Sequence, residues 1–148
     1  MARIIAVCRS DSKGIKKEDM GTGIFRENYG LIDDAHADYA THRQVSLLAM
    51  ESINKMQNLG FNVGPGDFAE NLTTEGITLH LLPIGTEVSI GREAVLTISQ
   101  IGKECHTGCA IFQQIGKCIM PKEGVFASVL RGGTITVGDE IRIQKDGE

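Results

Sequence analysis

Hydrophobic and polar positions along this chain fall into short clusters divided by glycine-rich turns. Arg3 to Cys8 is apolar and β-branched and predicts an opening strand. A shorter strand is expected at Ile24 to Arg26, amid glycines at 21, 23 and 30. Thr86 to Ile90 and Ala94 to Ile101 read as two strands around Gly91-Arg92-Glu93. Val125 to Leu130 and Thr134 to Val137 flank Arg131-Gly132-Gly133, which has the spacing of a hairpin, and Glu140 to Gln144 alternates as a last strand. Ser46 to Leu59 has a different period: Leu48, Ala49, Ile53, Met56 and Leu59 recur at helical spacing. Ser46 is its expected cap, Glu51 and Lys55 form a favourable i,i+4 pair, and Gly60 is its expected stop. Asp67 is placed to cap a short helical turn reaching Asn71, and Thr73 to Gly76 reads as a polar loop.

These elements predict a mainly β fold with one or two helices, a β-barrel or a strongly bent sheet. At 148 residues the chain is expected to form a single domain, 1–148, with a closed hydrophobic core. The net charge of −4 argues against a nucleic-acid partner. No apolar run approaches the ~20 residues of a membrane-spanning helix, and the N-terminus lacks signal-peptide character, so a cytoplasmic protein with no membrane partner is expected. In that compartment thiols stay reduced.

The chemistry concentrates between Ile101 and Asp139, which holds Cys105, His106, Cys109 and Cys118. Taken singly, a cysteine is more often a small buried residue than a site. Three within fourteen residues favour a site. As a zinc centre, Cys105-His106-x2-Cys109-x8-Cys118 supplies four ligand types, although neighbours such as Cys105 and His106 point apart in extended chain. As a catalytic Cys–His pair, Cys105 needs a base from elsewhere, with His36 and His42 the candidates. As a thiolate holding a soft metal or a persulfide, one cysteine near Lys103 and Arg131 suffices, since positive neighbours lower a thiol's pKa. Leu31 to Arg43 crowds His36, His42, Asp33, Asp34, Asp38 and Arg43 together. A metal site and an ion-paired loop ordering the edge of a pocket are both open there, the loop being the commoner use of such residues.

Four blocks carry a family resemblance: DAHADYATHRQVSLL (34–48), PGDFAENLTTEGI (65–77), IGKECHTGCAI (101–111) and CIMPKEGVFASVLRGGTITVGDEI (118–141). In this order they resemble a small stand-alone MOSC domain, the domain found at the C-terminus of molybdenum cofactor sulfurases. The resemblance implies a β-barrel-like fold related to the pyruvate kinase β-barrel domain. It also implies binding of the molybdenum cofactor (molybdopterin), or delivery of sulfur to it, through a cysteine thiolate or persulfide. Cys105 best matches the working cysteine and the molybdenum ligand, Cys109 follows as a second catalytic candidate, and Cys118 ranks third. Arg43, Lys103 and Arg131 are candidates for the pterin phosphate; His36 and Asn71 fall in matched blocks and join the cofactor-binding candidates. A sulfurtransferase role would need a separate cysteine desulfurase using pyridoxal phosphate, with a molybdoenzyme as the other expected partner. The alternative is a non-catalytic zinc-stabilised binding module. Two departures bear on cofactor affinity: Asp33 and Asp38 stand where small relatives carry glycine, and Ser128 stands where they often carry arginine.

Overall fold

A computed structural model of the chain describes residues 2–10, 17–34, 37–102 and 123–144. The elements run β1 (Arg3–Arg9), β2 (Glu18–Asp19), β3 (Thr22–Arg26), β4 (Gly30–Leu31), β5 (Val45–Ala49), α1 (Met50–Asn58) and β6 (Leu72–Glu75). A single 3-10 turn (Leu79–Leu81) then precedes β7 (Glu87–Ile90), β8 (Ala94–Ile101), β9 (Val125–Arg131), β10 (Gly133–Thr136) and β11 (Ile141–Gln144). Among the described residues the fold is mainly β with one α-helix, as the sequence predicts.

Eight strands form one sheet in the order β11-β7-β8-β9-β5-β6-β1-β2. Among the described strands only β5 and β6 run parallel, and α1 is the crossover that a parallel neighbour requires. The sheet curls until its ends approach. Ile4 N–H donates to Asp139 O, Gly138 N–H to Ile4 O and Ile141 N–H to Ala2 O, each at 2.9 Å, and Arg3 bridges to Glu140. The sheet is therefore barrel-like in outline, but a few bonds and not a continuous ladder link its ends, so it is not closed. A second sheet, β10-β3-β4, adds Phe25, Leu31 and Ile135 to the interior.

Two cores result, one on each face of the central strands. Val45, Leu47 and Ala49 of β5 and Val125, Ala127 and Val129 of β9 point into the curled sheet. Leu48 and Phe126 point outward and pack with Ile53, Met56, Val63 and Phe68 beneath α1. A strand covered on both faces reads as continuous apolar sequence, because neither face needs polar residues. This explains the misplaced start of the helix. Val45–Ala49 is strand and the helix begins at Met50, not Ser46. Leu48, Ile53 and Met56 look helically spaced because one core collects them from two different elements. Ser46 caps nothing; its hydroxyl bonds Ala69 O and Asn71 Oδ1. Gly60 does follow the helix at φ +99, while Leu59 is exposed.

Two other expectations change. Thr73 and Thr74 are buried in β6, paired with β1 and β5, and do not form a polar loop. Arg131-Gly132-Gly133 does not close a hairpin, because β10 leaves the large sheet and pairs with β3. Gly132 permits that transfer: a Cβ there would stand 2.7 Å from Phe25 O.

Candidate functional site

The cysteine-rich segment departs from and returns to one strand pair. Ile101 at the end of β8 faces Val125 at the start of β9, and Gly102 N–H donates to Gly124 O at 2.6 Å. This neck fixes both ends of the 103–122 stretch. Lys103, Cys105, His106, Cys109 and Cys118 themselves lie outside the described residues, as does His36. Glu123, on the return side, accepts from Ser52 Oγ and Lys55 Nζ of α1. Burial alone would push its carboxyl up, but those two bonds, together with the positive potential of Lys55 and His80, outweigh it and hold the carboxyl below its usual range.

Beside the neck lies a polar cluster that only tertiary structure assembles. Residues just before β5 lie over the neighbouring strands, where Ser99 Oγ donates to His42 O at 2.6 Å. Arg43 Nε donates to Gln100 Oε1 at 3.0 Å, and His42 Nε2 lies 2.8 Å from the same oxygen. Gln100 Nε2 in turn donates to Gly102 O at 2.8 Å, joining the cluster to the neck. The Arg43 guanidinium carbon sits 5.4 Å from the centroid of the Phe126 ring, a favourable cation–π distance. His42 and Arg43 are exposed. Among the described residues, the two terminal nitrogens of Arg43 and Nδ1 of His42 have no hydrogen-bond partner. The arrangement therefore offers a fixed, forked cation to an anion and a free ring nitrogen beside it.

The other candidates do not converge here. Arg131 pairs with Val95 at the far end of the β8–β9 ladder, whereas Phe126 pairs with Gln100. Arg131 lies five residue steps along β9 from Phe126, roughly 17 Å at the usual strand rise. Arg131 lines a surface pocket with Glu27, Glu87 and Gln144, so its surroundings are partly acidic. Arg43 and Arg131 thus lie too far apart to share one phosphate. Asn71 is fully buried. Its Oδ1 accepts from Ser46 N–H and its Nδ2 donates to Cys8 O, ties that hold the centre of the sheet together. No surface of Asn71 is left to meet a ligand.

The aspartate-rich stretch gives an ion-paired loop where it is described. Asp34 is buried and accepts from Lys17 Nζ at 2.7 Å, with both side chains wholly inaccessible. Lys17 also donates to Ser10 Oγ. Burial pulls the Lys17 pKa down, while the bond to Asp34 opposes the shift. Asp33 adopts φ +70, a left-handed conformation that glycine takes without strain, and lies 4.0 Å from Arg9. Among the described residues no three His, Cys, Asp or Glu side chains come together as a metal site.

Sequence reasoning missed two groups. Glu70 is fully buried in the turn before β6, accepting from Gly66 N–H, Phe68 N–H and Thr73 Oγ1, and burial pushes its carboxyl up to about 7. Cys8 of β1 is buried nearby; desolvation, then the charge of Glu70, pushes its thiol above the ordinary range. Such a thiol is inert at neutral pH. Gln100 was the other omission, and a glutamine in a strand carries no signal of whom it will meet.

A curled, mainly β sheet, with an open arginine beside the strand pair that flanks residues 103–122, sets the frame in which the class of protein is read. The MOSC domain model matches residues 34–142, and the chain belongs to the MOSC domain family, a family related to the molybdenum cofactor. The fold resembles the YUAD protein from Bacillus subtilis, with TM-score 0.79 and 18% identity over 97% of this chain and 96% of that one. It also resembles YiiM from Geobacillus stearothermophilus, with TM-score 0.76 and 19% identity over 99% and 77% of the two chains. YiiM from Escherichia coli aligns with TM-score 0.62 and 20% identity over 97% and 70%. No curated protein matches the chain. No helix among the described residues is long and apolar enough to cross a membrane.

Proposed function

We propose that this chain, acting as one domain in the cytoplasm, binds the molybdenum cofactor or carries sulfur to it through a cysteine of the 103–122 stretch. Cys105 is the leading thiolate and molybdenum ligand, with Cys109 assisting and Cys118 a lesser candidate. The observation that carries the reading is the state of Arg43. Gln100 and Phe126 fix its guanidinium at the neck of the cysteine-rich stretch, with its forked end open. A phosphate monoester suits that fork, because planar paired donors match phosphate oxygens. Cys8 supports the reading by exclusion, since its burial and raised pKa leave thiol chemistry to the other three cysteines.

In this reading Arg43 anchors the pterin phosphate, assisted by Lys103, and the thiolate supplies a soft ligand or a sulfur-carrying atom. When bound, the cofactor supplies a metal centre able to accept sulfur. A separate cysteine desulfurase would supply that sulfur, and a molybdoenzyme would receive the finished group. Protein purified from a host that makes the cofactor should release a fluorescent oxidised pterin. Cys105→Ala should lose that pterin, and Arg43→Ala should retain much less of it. Unchanged retention by Cys105→Ala, or stoichiometric zinc with no pterin, would overturn the assignment; the zinc result would favour the binding module.

A further inference from the structure

We propose that the hollow around Arg131 is a second binding site, one for a free α-amino acid with an apolar side chain. The hollow measures about 350 Å³ and is lined by Glu27, Glu87, Val95, Leu130, Arg131 and Gln144. That volume is within the range of small-ligand sites. It lies at the opposite end of the β8–β9 ladder from Gln100, so it is separate from the Arg43 cluster.

Four strands and one turn supply its walls. Arg131 of β9 stands opposite Val95 of β8, while Glu87 of β7 stands opposite both Thr97 of β8 and Gln144 of β11. Residues two apart on a strand share a face, so Val95 and Thr97 put Arg131 and Glu87 on the same side of the sheet. It is the outer side, because Val88 and Leu96 fill the core. Glu87 and Arg131 are two strand spacings and two residue steps apart, roughly 12 Å between Cα atoms at the usual strand dimensions. Glu27 comes from the turn between β3 and β4, which is fastened to β9. Asn28 N–H donates to Val129 O at 2.8 Å, and the buried Gln44 donates to Asn28 Oδ1 and accepts from Val129 N–H, each at 3.0 Å.

The chemistry of the lining names the ligand. Arg131, Glu27 and Glu87 are exposed, and among the described residues none of their side chains has a hydrogen-bond or ion-pair partner. Unpaired charges of both signs therefore border one hollow. The Arg131 fork suits a carboxylate, which takes two parallel N–H bonds. Ionised Glu27 and Glu87 only accept, and they suit an ammonium, which only donates. Gln144 spends its Nε2 on Ser89 Oγ, which leaves Oε1 as a further acceptor. Val95 and the half-exposed Leu130 add an apolar strip. A simple anion would meet two carboxylates and a simple cation would meet the guanidinium. The lining thus selects a ligand that carries both charges, and an α-amino acid carries them on one carbon beside its side chain.

The test is an NMR titration of the 15N-labelled chain with L-leucine, with isocaproate, which lacks the ammonium, and with isoamylamine, which lacks the carboxylate. Leucine should shift the amides of Glu27, Glu87, Leu130 and Arg131 saturably, with a Kd of about 1 mM. Each half-ligand should bind about tenfold more weakly, as the loss of one charge-assisted contact predicts. Arg131→Gln should weaken leucine about tenfold and remove its advantage over isoamylamine. Glu27→Gln with Glu87→Gln should instead remove its advantage over isocaproate. These residues are exposed, so the variants should unfold at the wild-type denaturant midpoint. Absence of a saturable shift at these amides up to about 50 mM leucine overturns the proposal. So does a half-ligand that binds as tightly as leucine, or an Arg131→Gln chain with unchanged affinity.

Discussion

The Lys17–Asp34–Glu70 region and the His42–Arg43–Gln100 region are both networks of charged and polar side chains, and they differ in where their bonds end. In the first, an ammonium and two carboxylates are sealed from water and bonded to Ser10, Gly66, Phe68 and Thr73. Gly66 makes the enclosure tight: a Cβ there would stand 2.1 Å from Lys17 O. In the second, two bonds converge on one glutamine oxygen, and the arginine fork and one ring nitrogen are left open. Buried charge is tolerated only when paired, so the first region holds loops to the sheet. An exposed charge held in place costs little and keeps its binding capacity. Charge alone does not mark a site; charge that is positioned and still open does.

The largest effect should come from breaking the buried pair. Lys17→Met removes the buried Lys17 ammonium from Asp34 and should cost about 3–5 kcal/mol in denaturant unfolding. Lys17→Met with Asp34→Leu should cost clearly less than the two single changes summed; simple additivity would show that the pair is not coupled.

Glu70 gives the next effect, and its sign is defined. Its folded pKa is raised from 4.5 to about 7, so the folded chain holds this proton more tightly than the unfolded chain does. The contribution is intact below about pH 4.5 and is lost as pH rises through about 7, amounting to about 3 kcal/mol. Stability of the wild type should therefore fall across that window relative to Glu70→Gln, which has no such titration. A difference between the two that stays constant with pH would refute buried ionisation. Arg43→Ala should have the smallest effect on folding, under about 1 kcal/mol, since an exposed cation–π contact contributes no more. A larger loss in unfolding experiments would return Arg43 to the structural class and erase the contrast between the two regions.

How much was legible follows from the range of each signal. Blocks 34–48, 65–77, 101–111 and 118–141 were enough to suggest the family, and alternating strands such as Ala94 to Ile101 were placed directly. Local periodicity failed at Val45–Ala49, where burial on both faces removes the polar positions that distinguish a strand from a helix. Charge and motif position put Arg43 and Arg131 together, yet the β8–β9 ladder holds them at its two ends. Asn71 looked available and is enclosed, because its position in sequence says nothing about the strands that close over it.

By itself, then, the sequence determined a mainly β class, a cluster of three cysteines and the family, since composition, alternation and motif order are properties of neighbouring residues. Tertiary structure alone decided which polar groups are spent and which remain open. Gln100 is fifty-seven residues from Arg43 and fifty-eight from His42, and only strand pairing brings them together. The bonds that orient an arginine and a histidine depend on distance in space, which no local pattern along the chain records.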